Sequence, residues 1–207
     1  MTEQLRKSTL IIAPKRSGTN FTHDLLAPYH DSAVNEPIGL HSEQNYQNHG
    51  NPLNPWILSS QEHVSKEYGH SGLKDDPYGS LLTRNFISWL KEGGKLIKET
   101  DFLYLGWLLG SVPFNIISIE RDPRESIASF KKNDFYRKWG YRERLYQFSQ
   151  TIQKHPLLNK LYGDFLLSNK EPFVDLPWHR QLAFYYSVAL LEIARNLKNQ
   201  RALKVSH

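Results

Sequence analysis

Lys15, Arg16, Ser17, Gly18, Thr19 and Asn20 follow one another without a gap: two cations, two hydroxyls, a glycine and a carboxamide. Groups of these types in one short loop suit an anion. Thr9 to Ala13, just ahead of them, is β-branched and apolar enough for a buried strand, and Thr22 to Leu26 begins a helical pattern. Gly18 permits a tight turn that aims successive backbone N–H groups at one point. A helix N-terminus adds unpaired amides and the positive end of the helix dipole. Strand, basic loop and helix together make a phosphate or sulfate site. The plainer alternative is a strand-to-helix turn carrying two solvated cations.

The identity of the anion depends on what is missing and on what lies downstream. A Walker loop needs two glycines four residues apart followed by Lys and Ser or Thr, whereas here Gly18 stands alone and the cations precede it. The order Pro14-Lys15-Arg16-Ser17-Gly18-Thr19-Asn20-Phe21 resembles instead the 5′-phosphosulfate loop of the sulfotransferases that use 3′-phosphoadenosine 5′-phosphosulfate (PAPS). About a hundred residues on, Asn115 to Ile119 reads as a buried strand, and Pro123 suits the first turn of a helix. Arg121 then falls at a strand's carboxyl end, where open α/β sheets bind ligands. Arg121, Pro123, Arg124 and Ser129, eight residues after Arg121, resemble the 3′-phosphate motif of the same family. An Arg fork with a hydroxyl fits a terminal phosphate, each charge-assisted bond contributing roughly 1.5 to 3 kcal/mol.

The resemblance implies a fold and a set of roles. The fold is α/β, a three-layer sandwich around a central parallel sheet of about five strands, similar to the P-loop nucleoside-triphosphate hydrolases. The reaction is transfer of a sulfuryl group from PAPS to a hydroxyl or amine, leaving adenosine 3′,5′-bisphosphate (PAP), without a metal. Donor binding falls to Lys15, Arg16, Ser17, Gly18, Thr19, Asn20, Phe21, Arg121 and Ser129. Arg16 aligns with the family's cation on the leaving oxygen, and Lys15 is an additional cation beside it. Phe21 matches an aromatic that stacks near the adenine, a core role being the alternative.

Glu36, twenty residues after Arg16, resembles in position the base of tyrosylprotein and heparan-type sulfotransferases, with a turn-capping Glu before Pro37 as the plainer reading. Lys98 matches the Lys of the third strand. Cytosolic members carry a His two residues later, where this chain has Thr100, so that pattern is departed from. His41 and Glu99 are the second-line bases. A P-loop-like small-molecule kinase and a non-catalytic bisphosphate-binding module remain the other two readings.

Around these residues the chain alternates strands and helices. Strands are expected near Leu10 to Ala13, Ala33 to Asn35, Lys95 to Lys98, Asn115 to Ile119 and Ala202 to Ser206. Helices are expected over Leu81 to Glu92, stopped by Gly93-Gly94, over Phe102 to Leu109 before Pro113, and over Trp178 to Asn199. At 207 residues, a single domain with a polar, loop-rich insertion at 41–80 and an aromatic and basic segment at 131–177 is expected. That second segment reads either as an acceptor surface or as a solvated amphipathic helix pair. The final strand is followed in the family by a further segment, whereas this chain stops at His207.

Composition sets outer limits. The net charge of +5 suits anionic ligands, but the basic residues are scattered and form no recognised nucleic-acid module, so no nucleic-acid partner is expected. No apolar run is long enough to span a membrane, and a cytoplasmic location follows as an expectation together with the absence of cysteine. The partner is expected to be a small-molecule, carbohydrate or peptide acceptor, and a homodimer is left open.

Overall fold

A computed structural model of the chain describes residues 6–36, 81–100, 102, 105–132, 141–154, 156–168 and 172–206. The chain divides into two compact units, residues 1–120 with 193–207, and residues 121–192.

The first unit is built on a five-stranded sheet. Its strands are β1 (Ser8–Ile12), β2 (Ser32–Asn35), β3 (Lys95–Glu99), β4 (Phe114–Glu120) and β5 (Ala202–Ser206), in the spatial order β2-β3-β1-β4-β5. Every pairing is parallel. β1 occupies the centre because its sequence has no polar face: Leu10, Ile11 and Ile12 are wholly buried, and Ser8 and Thr9 nearly so. All five strands fall where the hydrophobic runs put them, within a residue or two at their ends.

One face of the sheet packs Ile11, Ala13, Leu96 and Ile119 into a cluster capped by Leu26 and Ala27. Leu26 ends α1 (Thr19–Leu26), so this is the face that α1 covers. The helix starts three residues earlier than the periodicity indicated. Gly18 turns the chain with φ 84°, and Thr22 N–H donates to Gly18 O, which places Thr19 to Phe21 inside the first turn. α2 (Leu81–Lys91) is tied to β1 where the Ser8 hydroxyl donates to Leu90 O at 2.8 Å. It ends, as expected, at Gly93 and Gly94, both with positive φ. α3 (Leu105–Ser111) begins later than Phe102 and runs past Leu109, close up to Pro113, because a proline restricts the residue before it and not the turn further back.

The strand order fixes where a ligand site can form. After β1 the chain crosses to the edge strand β2 and returns through β3 to β1's flank; β4 then pairs on β1's other side. The carboxyl ends of β1 and β3 border that change of direction, where open parallel sheets leave a crevice.

The second unit contains α4 (Pro123–Lys132), α5 (Tyr141–Lys154), α6 (Pro156–Ser168) and most of α7 (Trp178–Leu197). Its core is aromatic: Phe184 meets Phe173 edge-on at 5.5 Å and Phe148 at 6.0 Å, and the exposed Phe165 stacks on it at 4.6 Å. Gln181, buried on α7, donates to the carbonyls of Val174 and Leu176 and so anchors the segment ahead of the helix. Within 131–177, the described residues include the two helices α5 and α6. Leu145, Phe148 and Ile152 bury one face of α5, while Tyr146 on the other is exposed. Phe135, Tyr136 and Trp139, like the whole insertion at 41–80, lie outside the described residues.

Candidate functional site

The register of β2, β3 and β1 sets two polar residues, Asn35 and Lys98, side by side at one corner of the sheet. Asn35 pairs with Lys98, and Ile11 pairs with Lys98 from the other side, so Lys98 is hemmed in near the carboxyl end of β3. Cross-strand partners share a face, and Ile11 belongs to the cluster under α1. The Lys98 side chain is therefore led towards α1, and it is only 3 % exposed. There its Nζ donates to Asn20 Oδ1 at 2.8 Å, on the first turn of α1, and to Glu36 Oε1.

Glu36 comes to this corner by way of its backbone. It directly follows β2, its N–H donates to Lys98 O at 2.7 Å, and its φ of 50° turns the chain out of the strand direction. Left-handed backbone at a non-glycine residue costs energy and gathers at functional sites. The Glu36 carboxylate is 11 % exposed, with Oε2 3.7 Å from Lys15 Nζ. Two ammonium groups thus hold one carboxylate, one on each oxygen. Their charges favour its ionised form and offset the cost of removing it from water.

The loop after β1 has the shape its sequence called for. Arg16 at φ 66° and Gly18 at φ 84° bracket Ser17, which is 1 % exposed. Gly18 holds the N-cap position of α1 and has no side chain to cap the first-turn amides. Thr19 is buried. Lys15 and Arg16 part company: the Lys15 side chain is 16 % exposed and turned to Glu36, whereas Arg16 is exposed. Phe21 is 69 % exposed, which removes the core role that the sequence left open for it.

Of the second-line bases, Glu99 is 1 % exposed, and one carboxylate oxygen accepts the Thr100 N–H at 2.8 Å. Thr100, standing where a His was looked for, is buried, and its hydroxyl has no hydrogen-bond partner among the described residues. His41 lies outside those residues.

Arg121 and Ser129 belong to the second unit. Arg121 follows Glu120, the last residue of β4, and its Nε donates to Glu125 Oε2 at 3.1 Å. Its side chain is 23 % exposed. Ser129 lies on α4, partly buried. Asp122 caps that helix: its Oδ1 accepts the Arg124 N–H at 2.8 Å, and its backbone carbonyl accepts the Ser126 N–H at 3.2 Å. Side-chain bonds from Arg124 hold the Asp122 carboxyl below its ordinary range, and Asp122 in turn raises Arg124. Arg124, exposed and locked to Asp122, is the basic residue of the motif that turns to solvent.

What the sequence did not reveal is that Lys98, Glu36, Asn20 and Lys15 form one cluster. Each was legible as a candidate, but the link between them is made by strand register, and a single chain has no local signal for that. Among the described residues, no three His, Asp or Glu side chains gather as a metal site needs, and no helix is long and apolar enough to cross a membrane. No protein-family model matches the chain, and no curated protein matches it significantly.

Proposed function

We propose that the chain is a PAPS-dependent sulfotransferase, with a sheet and loop related to those of P-loop proteins. The observation that carries this reading is the meeting of Lys15, Lys98, Glu36 and Asn20 beside the uncapped N-terminus of α1. Cations, the amides of a helix's first turn and a buried carboxylate at one strand-end corner are what in-line transfer of an anionic group needs.

In the proposed reaction the 5′-phosphosulfate lies along residues 15–20, with Lys15 and Lys98 on its non-bridging oxygens. An acceptor hydroxyl or amine gives its proton to a Glu36 carboxylate oxygen as its own oxygen or nitrogen bonds to sulfur. The bond from sulfur to the bridging oxygen breaks, and its electron pair stays on that oxygen, which becomes part of the 5′-phosphate of PAP. Arg16, at the exposed turn of the loop, supplies positive charge to that oxygen. Arg121 and Ser129 are proposed for the 3′-phosphate on their resemblance to the family's motif alone. Phe21, exposed on α1, stacks against the adenine.

The test is thermal stabilisation by PAP compared with ATP and Mg²⁺. A ligand at a hundred times its dissociation constant adds about 2.7 kcal/mol. PAP raises the melting temperature and ATP does not; the reverse preference would move the chain to the kinase reading. Binding of PAP with no transfer to any acceptor would leave a bisphosphate-binding module.

A further inference from the structure

We infer that Glu36 competes with the donor for Lys15 and Lys98, so that donor binding is what frees the carboxylate to act as a base. This rests on reading the loop after β1 as the donor's anion site. The observation beneath it is a conflict of roles. A base must offer a lone pair to the acceptor's proton, yet each Glu36 oxygen faces a different ammonium group, Oε1 that of Lys98 and Oε2 that of Lys15. A carboxylate between two cations has a low affinity for a proton. The same two ammonium groups are the buried or half-buried cations that a phosphosulfate would need.

Exchange resolves the conflict. Lys98 is fixed by β3 on one side and by Asn20 Oδ1 on the other, so it stays in place when its carboxylate partner changes. Sulfate or phosphate oxygens can replace Glu36 on both lysines with charge-assisted bonds of the same kind. Glu36 then borders an anion and has lost its two cations, and both changes raise its proton affinity. Its basicity therefore rises only with the donor in place. By linkage, an ionised Glu36 must weaken the donor as much as the donor releases Glu36.

The experiment is calorimetric titration of the wild-type chain and of Glu36→Gln with PAP and, separately, with inorganic pyrophosphate. Gln keeps the size and the hydrogen-bonding oxygen but leaves the two lysines uncompensated. Removing an internal competitor raises apparent affinity by the inverse of the open fraction, here about tenfold for both anions. Equal or weaker binding of pyrophosphate by the variant overturns the inference. If pyrophosphate binds more tightly to the variant while PAP binds to neither protein, the competition stands and the sulfotransferase reading falls; if neither anion binds either protein, both fall. A wild-type measurement covers a variant that does not fold. The Glu36 carboxyl carbon resonance must move as pyrophosphate saturates the protein, and a resonance that stays put overturns the inference.

Discussion

Lys98 and Glu36 are bound to each other twice, once through the main chain, where Glu36 N–H donates to Lys98 O at 2.7 Å, and once through Lys98 Nζ on the Glu36 carboxylate. The first bond continues the β2·β3 ladder by one residue. The second follows because that residue is acidic and its neighbour is a lysine led beneath α1.

Replacing Lys98 by Met keeps most of the volume and removes the more buried of the two cations. The carboxylate is left largely out of water without its closest cation, so stability should fall by about 3 kcal/mol. The double variant Lys98→Met with Glu36→Met should be less destabilised than the single one, because no buried charge is stranded. Urea denaturation of the three proteins checks both statements; equal losses for single and double variants would show that packing, not charge, holds the corner.

Arg121→Ala tests the 3′-phosphate assignment. Affinity for PAP should drop by about 2 kcal/mol, the worth of a charge-assisted bond. Adenosine 5′-phosphosulfate, which has no 3′-phosphate, should bind the variant as it binds the wild type. A matching loss for both ligands would remove Arg121 from that role.

Asp122 gives a pH dependence with a definite sign. Its folded pKa lies below the ordinary 3.8, because Arg124 donates to the ionised carboxylate. A depressed folded pKa adds stability that is complete above the unfolded value and is lost as pH falls through the folded one. Asn at this position can still cap the helix, so Asp122→Asn removes only the charge. Thermal melts should show the variant less stable at neutral pH, with the difference closing as the pH drops below the ordinary carboxylate range. The pair is exposed, and added salt should shrink the effect.

Gly93→Ala examines the turn that feeds β3. Gly93 has φ 82°, and a Cβ there would stand 1.9 Å from the backbone oxygen of Arg6. Left-handed strain plus a collision with main chain should cost about 2 kcal/mol. Since the turn lies at the amino end of the sheet, PAP affinity should be unchanged in protein that remains folded.

The elements of this protein were legible because each carries its own period. β1 is apolar on both faces, Gly93-Gly94 ends α2, and α7 repeats near 3.6 residues from Trp178 to Leu197. The loop was legible for a related reason: an anion cradle needs cations, hydroxyls and a glycine within a few bonds of one another, and Lys15 to Asn20 shows them in order.

Which side chains meet was a different matter. Glu36 and Lys98 are 62 residues apart in sequence and Asn20 and Lys98 are 78 apart. Nothing local to any of them specifies the others. The parallel register that sets Asn35 beside Lys98, and the packing of α1 over that face, decided the cluster. They also decided that Lys15 faces Glu36. The sequence by itself determined that five apolar runs make a parallel sheet and that a basic glycine loop follows its central strand, because those properties are periodic or contiguous. Only the tertiary structure decided that two lysines close on one carboxylate, because non-local contacts depend on strand order and register, which single-chain patterning leaves open.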